Sequence, residues 1–394
     1  MTRRSVLVGA LAVGAGAGAV VDRARPADPL PTLANGAGWR PRGSERAARA
    51  WLAAGRVPGE GVPDGLVAQA LLDLHGLLQP NGAVLAGPAR IWRYVWPRDA
   101  SFVVVALAAT GHVAQAWDTL RFLSQVQLPD GGFEARYLPD GSGPPDDRRR
   151  QSDGAGWVLW ALDMARSASG ARVVPVDLRP MRDRAASFID HQTRGATTLP
   201  AASPDYWEVP ERAVTLGTIA PMATGLGAAA RMHAAEGSSS EAARWSRAAE
   251  RLRGLVVGEF GPSYNRYGHS GGLDAATAML LPPFADDAHP EATSACSRYS
   301  VEALRPAGGL APGTGWRADG VSWTPETALV AYTAAATGRR DEARRWLGWL
   351  AAHRTAWGSV PEKVRPDRRA AGPAPLAWTA ALVVLTAHEL DRMA

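Results

Sequence analysis

The chain has 394 residues, 46% of them apolar and 21% charged, enough for a large buried core, which excludes a disordered or fibrous chain. A single cysteine, Cys296, excludes an internal disulfide, and no Cys/His grouping has zinc-ligand spacing, so no metal site is expected. The net charge of +5 does not point to nucleic acid: the basic residues, Lys363 being the sole lysine, are scattered among 38 acidic ones, and the one dense run, Arg148-Arg149-Arg150, follows Asp146-Asp147.

The N-terminus reads as an address. Thr2-Arg3-Arg4-Ser5 precedes a mildly apolar Gly/Ala/Val/Leu run to Val21, the layout of a twin-arginine export signal. The run is short for a membrane span, so no stable membrane insertion is expected unless the signal stays uncleaved. Residues 1–30 are assigned to signal and linker, and 31–63, rich in Pro, Gly and Arg, to an arm. Residues 64–394 then form one helical domain of an exported, monomeric protein.

That domain reads as helix after helix. Leu66, Ala70, Leu74 and Leu77 lie at helical spacing after Pro63-Asp64. Similar segments follow at 98–110, 112–127, 153–168, 179–192, 215–236, 239–258, 273–281, 294–304, 324–337, 339–353 and 374–392, twelve in all. Period-two strand patterns are scarce. Ala108-Ala109-Thr110-Gly111-His112, with Ala116, Leu120 and Leu123, is echoed by Ala335-Ala336-Thr337-Gly338-Arg339, with Ala343, Leu347 and Leu350. A weaker copy begins at Gly237. Each glycine ends one helix and a small/large apolar ladder starts the next, the pattern of a helical hairpin. Six hairpins predict an all-α fold, an (α/α)6 barrel, although spacing alone does not separate a closed toroid from an open superhelix.

Polar residues in the Gly/Pro-bounded connections are the candidates for chemistry. Trp92 to Asp99 sets Tyr94 and Trp96 beside the Arg98-Asp99 pair. Gln151-Ser152-Asp153 opens a helix. Ser203 to Glu208 and Trp357 to Lys363 carry further acids and aromatics. The grouping suits a sugar, whose C–H faces settle on aromatic rings and whose hydroxyls take paired donors and acceptors. Glycosidic cleavage needs two carboxyl groups, and Glu208 and Glu362 best combine loop position with aromatic neighbours. Trp207 beside Glu208 is placed to exclude water and favour a protonated acid.

In order, Tyr94-Val95-Trp96-Pro97-Arg98-Asp99, Gln151-Ser152-Asp153-Gly154, Trp207-Glu208, Pro361-Glu362 and Pro375-Leu376-Ala377-Trp378 resemble the motifs of glycoside hydrolase family 15, the glucoamylases. The resemblance runs from about Asn81 to about Leu390. It implies an inverting, exo-acting α-glucoside hydrolase without a cofactor, with Glu208 as general acid and Glu362 as general base. It further implies that Arg98 and Asp99 grip the terminal sugar, with Asp153, Arg317 and Trp323 nearby. Departures stand beside the matches: Val209 and Pro210 follow the acid, Trp92 replaces a usual tyrosine, and Asp146 to Arg150 stand where a tryptophan is usual. The alternatives are a barrel that binds carbohydrate with altered catalysis, or a six-hairpin enzyme for trehalose or uronic-acid sugars. Gly268-His269-Ser270-Gly271-Gly272 fits the G-x-S-x-G of serine hydrolases, but no strand precedes it.

Overall fold

A computed structural model describes residues 30–35, 38–39, 44–59 and 61–393, so the predicted export signal lies outside the described residues. Helices α1 (Glu45–Ala53), α2 (Leu66–Leu77), α3 (Pro97–Ala109), α4 (Val113–Val126), α5 (Asp153–Ala168), α6 (Arg179–Gln192), α7 (Leu216–Ala235), α8 (Ser239–Phe260), α9 (Pro290–Glu302), α10 (Thr324–Ala336), α11 (Arg340–Ala352) and α12 (Ala377–Arg392) carry the fold. Their apolar patterning sorts them into two layers. Helices α3, α5, α7, α10 and α12 are buried along nearly their whole length, as helices apolar on all sides must be. Helices α4, α6, α8, α9 and α11 bury one stripe and form the outer layer.

The inner layer closes on itself. Helix α3 packs on α5, α5 on α7, α7 on a 3-10 turn (Ala275–Leu280), that turn on α10, α10 on α12, and α12 back on α3. Each inner element has an outer partner: α4, α6, α8, α9 and α11 follow theirs in sequence, whereas α12 takes α2 from the other end of the chain. The six-hairpin toroid is therefore closed, the point spacing left open. Two glycines set the closeness of α5 and α7. A Cβ on Gly156 would stand 2.1 Å from the Pro221 carbonyl oxygen, and one on Gly225 would stand 2.6 Å from the Gly156 Cα.

The echoed hairpins close as predicted: Gly111, Gly237 and Gly338 adopt φ of 88°, 79° and 80°, the left-handed region open to glycine. One expectation needs correction. The helix expected at 273–281 is only a 3-10 turn, because Asp274 caps Ala276 N–H at 2.8 Å on one side and Pro282-Pro283 stop it on the other. The arm carries helix α1 and is tied to the helical domain. Ser44 caps α1, Trp51 stacks on His112 and His75 at 3.6 and 4.5 Å between ring centroids, and Asn35 exchanges hydrogen bonds of 2.8 and 3.0 Å with Ala374.

A small antiparallel sheet of β1 (Ser322–Trp323), β2 (Lys363–Val364) and β3 (Ala370–Ala371) pairs Trp323 with Lys363. It ties the start of α10 to the segment carrying Glu362. The first turns of α3, α10 and α12 meet there, around one cavity.

Candidate active site

The cavity and its open mouth together hold about 740 Å³ of space not filled by protein atoms. Its floor is built from the first turn of α3. Arg98 is buried, donates to Gln151 Oε1 at 2.9 Å, and lies 3.5 Å from Asp153, 3.4 Å from Asp99 and 3.7 Å from Glu208. Its guanidinium sits over the Trp378 ring at 5.2 Å. Burial pushes the Asp99 carboxyl up to about 6, against the pull of Arg98 and with the push of Glu208. Burial likewise raises Asp153 to about 6.

Glu208 stands at the end of a loop anchored from behind by Arg266. That guanidinium, almost fully buried, donates to Asp205 at 2.8 Å, Glu211 at 2.6 Å and Asp274 at 2.8 Å, and lies 3.7 Å above the Trp207 ring. Asp205 in turn accepts from Thr215 at 2.7 Å and from the Trp207 amide at 2.9 Å, while the Tyr206 hydroxyl donates to Asp274. With both neighbours pinned, Glu208 is held at φ 55°, a backbone state uncommon for a residue with a side chain. Its carboxylate, 26% exposed, faces Arg98 and forms an ion pair with Arg148.

Glu362 reaches the cavity from the opposite part of the chain. Its amide donates to Pro373 O at 2.9 Å and its carbonyl accepts from Thr324 N at 3.0 Å, fixing the segment between α10 and β3. Trp92 Nε1 donates to Glu362 Oε1 at 3.4 Å, and Lys363 Nζ lies 2.9 Å from Oε2 and 4.2 Å over the Trp323 ring. These are contacts a charged carboxylate makes. Gly372 backs the same side chain closely.

Of the residues predicted from sequence, Trp96, Arg98, Asp99, Trp207, Glu208, Trp323 and Glu362 line this one cavity. Three do not. Tyr94 lies outside the lining, beneath the Arg136 guanidinium at 4.6 Å. Asp153 is fully buried behind Arg98, where Trp157 Nε1 donates to it at 3.2 Å, so it buttresses the arginine instead of facing the cavity. Arg317 is exposed, extends over the Trp316 ring and is not part of the lining. Sequence reasoning missed Arg136, Arg148, Tyr206 and Glu326 in the lining, and noted Trp92 and Trp378 only as motif positions. Arg148 had a signal in the Asp-Arg run, Glu326 none beyond a helix start. Ser270 of the G-x-S-x-G match is exposed on a turn, away from the cavity.

Solved structures similar to this one are glycosidases. A glycosidase in complex with glucose matches over 83% of this chain and 96% of its own, at 23% identity and a TM-score of 0.70. The fold is that of the glucoamylases. The glucoamylase of Saccharomycopsis fibuligera matches over 86% of this chain and 97% of its own, at 12% identity and a TM-score of 0.67. A bacterial glucoamylase complexed with acarbose matches over 87% of this chain and 57% of its own, with 17% identity and a TM-score of 0.70. Among curated proteins, an uncharacterized glycosyl hydrolase of Methanocaldococcus jannaschii is 32% identical over 106 residues, 26% of this chain and 17% of that protein's length. No protein-family model matches the chain.

Proposed function

We propose that this protein is a glycoside hydrolase that releases a terminal sugar from an α-linked glucoside with inversion. The observation that carries the reading is that Glu208 and Glu362, far apart in sequence, line one cavity with the Arg98-Asp99 pair and the rings of Trp96, Trp323 and Trp378. In the reaction Glu208, protonated, delivers its proton to the glycosidic oxygen as the bond from that oxygen to the anomeric carbon breaks. Glu362, ionised, takes a proton from the water whose oxygen attacks the same carbon from the other face. An α-glucoside then yields a β-sugar. Arg98 and Asp99 hold the outer hydroxyls, and the aromatic rings take the apolar face.

An uncharged sugar suits the cavity better than a uronic acid. Arg98, Arg136 and Arg148 all reach it, but Arg98 faces Asp99 and Asp153, and Arg136 and Arg148 both pair with Asp146. Their charges are already offset. The twin-arginine pattern in residues 1–30 supports export of the folded enzyme, which fractionation of cells expressing the Arg3→Lys, Arg4→Lys variant tests.

The deciding experiment is hydrolysis of α-linked disaccharides followed by NMR of the first-formed anomer. The wild type should release β-glucose, and Glu208→Gln should lose at least about a thousandfold in kcat while still binding sugar. Initial α-glucose would refute inversion. A wild type that binds sugars but cleaves none would favour the carbohydrate-binding alternative.

A further inference from the structure

The mechanism above leaves one cavity acid without a task. Glu326 is the third residue of α10, 2% exposed, and lines the same cavity as Glu208 and Glu362. The amides ahead of it do not draw on its carboxyl: Trp323 gives its N–H to Leu310 O at 2.7 Å, Thr324 gives its own to Glu362 O at 3.0 Å, and Pro325 has none, which leaves only the amide of Glu326 itself against that carboxyl. Its Oε2 has no hydrogen-bond partner among the described residues. Buried polar atoms are ordinarily satisfied, so an unpartnered carboxyl oxygen on a residue that lines a cavity is a candidate contact for a ligand.

The titratable groups that interact with it are Glu362 from the β2 segment, Asp274 from the start of the 3-10 turn, Arg98 from α3 and Tyr299 from α9. Burial pushes the Glu326 carboxyl up to about 8; its own backbone amide opposes this, Glu362 and Asp274 add to it, and Arg98 opposes it. At neutral pH the group therefore carries both an O–H donor and a carbonyl acceptor.

We propose that Glu326 is a sugar-positioning residue, its carboxyl group hydrogen-bonding a ring hydroxyl of the neutral hexose held by Arg98 and Asp99, on the wall it shares with Glu362. The proposal rests on the reading of this cavity as a sugar site. As pH rises through about 8 the donor is lost and a second negative charge appears beside Glu362, so sugar binding should weaken on the alkaline side.

Two variants test it. Glu326→Gln keeps a donor and an acceptor without ionising, and Glu326→Leu keeps neither. For each, kcat and KM on maltose are measured from about pH 5 to 10, glucose affinity by titration calorimetry, and the thermal midpoint as a control on folding. Glu326→Gln should hold kcat/KM within about threefold at pH 6 and lose the alkaline fall. Glu326→Leu should weaken glucose binding and kcat/KM about tenfold, mainly through KM, with its thermal midpoint unchanged or raised. Wild-type glucose affinity in the Leu variant, or an unaltered alkaline fall in the Gln variant, would overturn the proposal. If the wild type binds glucose but hydrolyses nothing, the hydrolase reading fails and glucose affinity still decides the role of Glu326. If it binds no glucose, the positioning role falls as well.

Discussion

Gly372 shows how narrowly the Glu362 side chain is held. Its φ is 74°, and a Cβ there would lie 2.5 Å from Glu362 Oε2 and 2.9 Å from Glu362 Cβ. Gly372→Ala should therefore displace the carboxylate by a fraction of an ångström and strain the turn by about 1 kcal/mol. Because reaction geometry is unforgiving, the expected result is a loss of ten- to a hundredfold in kcat with sugar binding largely kept, read from steady-state kinetics and glucose titration. The two glutamates and the Arg98-Asp99 pair were legible in the sequence because Trp, Pro and Gly bracket them in connections. Glu326 was not: Thr324-Pro325-Glu326 reads as an ordinary helix start, and only the fold turns that carboxyl toward a cavity instead of solvent. Arg317 misled for the converse reason, since a sequence gives the order of residues along a loop but not which side chains turn inward, and this one lies exposed over Trp316.

At the scale of elements, the Glu208 loop borrows its rigidity from a buried ionic hub. Removing one partner of such a network leaves the others charged and unpaired in a dry interior. Arg266→Met should cost about 3–5 kcal/mol in chemical denaturation, since Asp205, Glu211 and Asp274 would all lose the same cation. Turnover should fall further than the lost stability explains, because the Tyr206-Trp207-Glu208 turn loses its anchor. None of this hub was visible in the chain, where its members are dispersed from Asp205 to Asp274. The helices were visible, since a repeat near 3.6 residues is a local property and a glycine at each tight turn is a strong mark. Helix α1 escaped notice because Ser44 and its amphipathic run sit within Arg-rich, Pro-rich surroundings. Helix α9 begins at Pro290, earlier than its apolar spacing suggested, because proline is well accommodated in a first turn.

At the scale of the whole molecule, α2 pairs with α12 from the other end of the chain, and α2 carries a buried acid of its own. Asp73 on α2 accepts from Gln69 at 2.8 Å and from Ser359 at 2.9 Å through the same oxygen, and burial pushes it up to about 7 despite both bonds. The sign follows from proton counting. Between its ordinary value near 4 and about 7, the folded protein keeps this proton while the unfolded chain has lost it. The contribution of Asp73 is thus complete at the acid end and disappears as pH climbs through about 7. Asp73→Asn, whose amide oxygen can accept the same two bonds, should flatten the pH dependence of stability over that window by roughly 2–4 kcal/mol, measured by urea denaturation at pH 4 and pH 7.5. Sequence periodicity supplied the number of hairpins but not this seam, because contact between Leu66–Leu77 and Ala377–Arg392 has no local signature.

The seam also sets an order of events during synthesis. Until Ala377–Arg392 has left the ribosome, α2 has no inner partner and α3 and α10 each lack a neighbour, so the nascent chain persists as a horseshoe with a greasy open edge. Leu376 and Trp378, which complete the cavity wall, arrive with that closing helix. A version cut before α12 should be both sticky and blind to sugar.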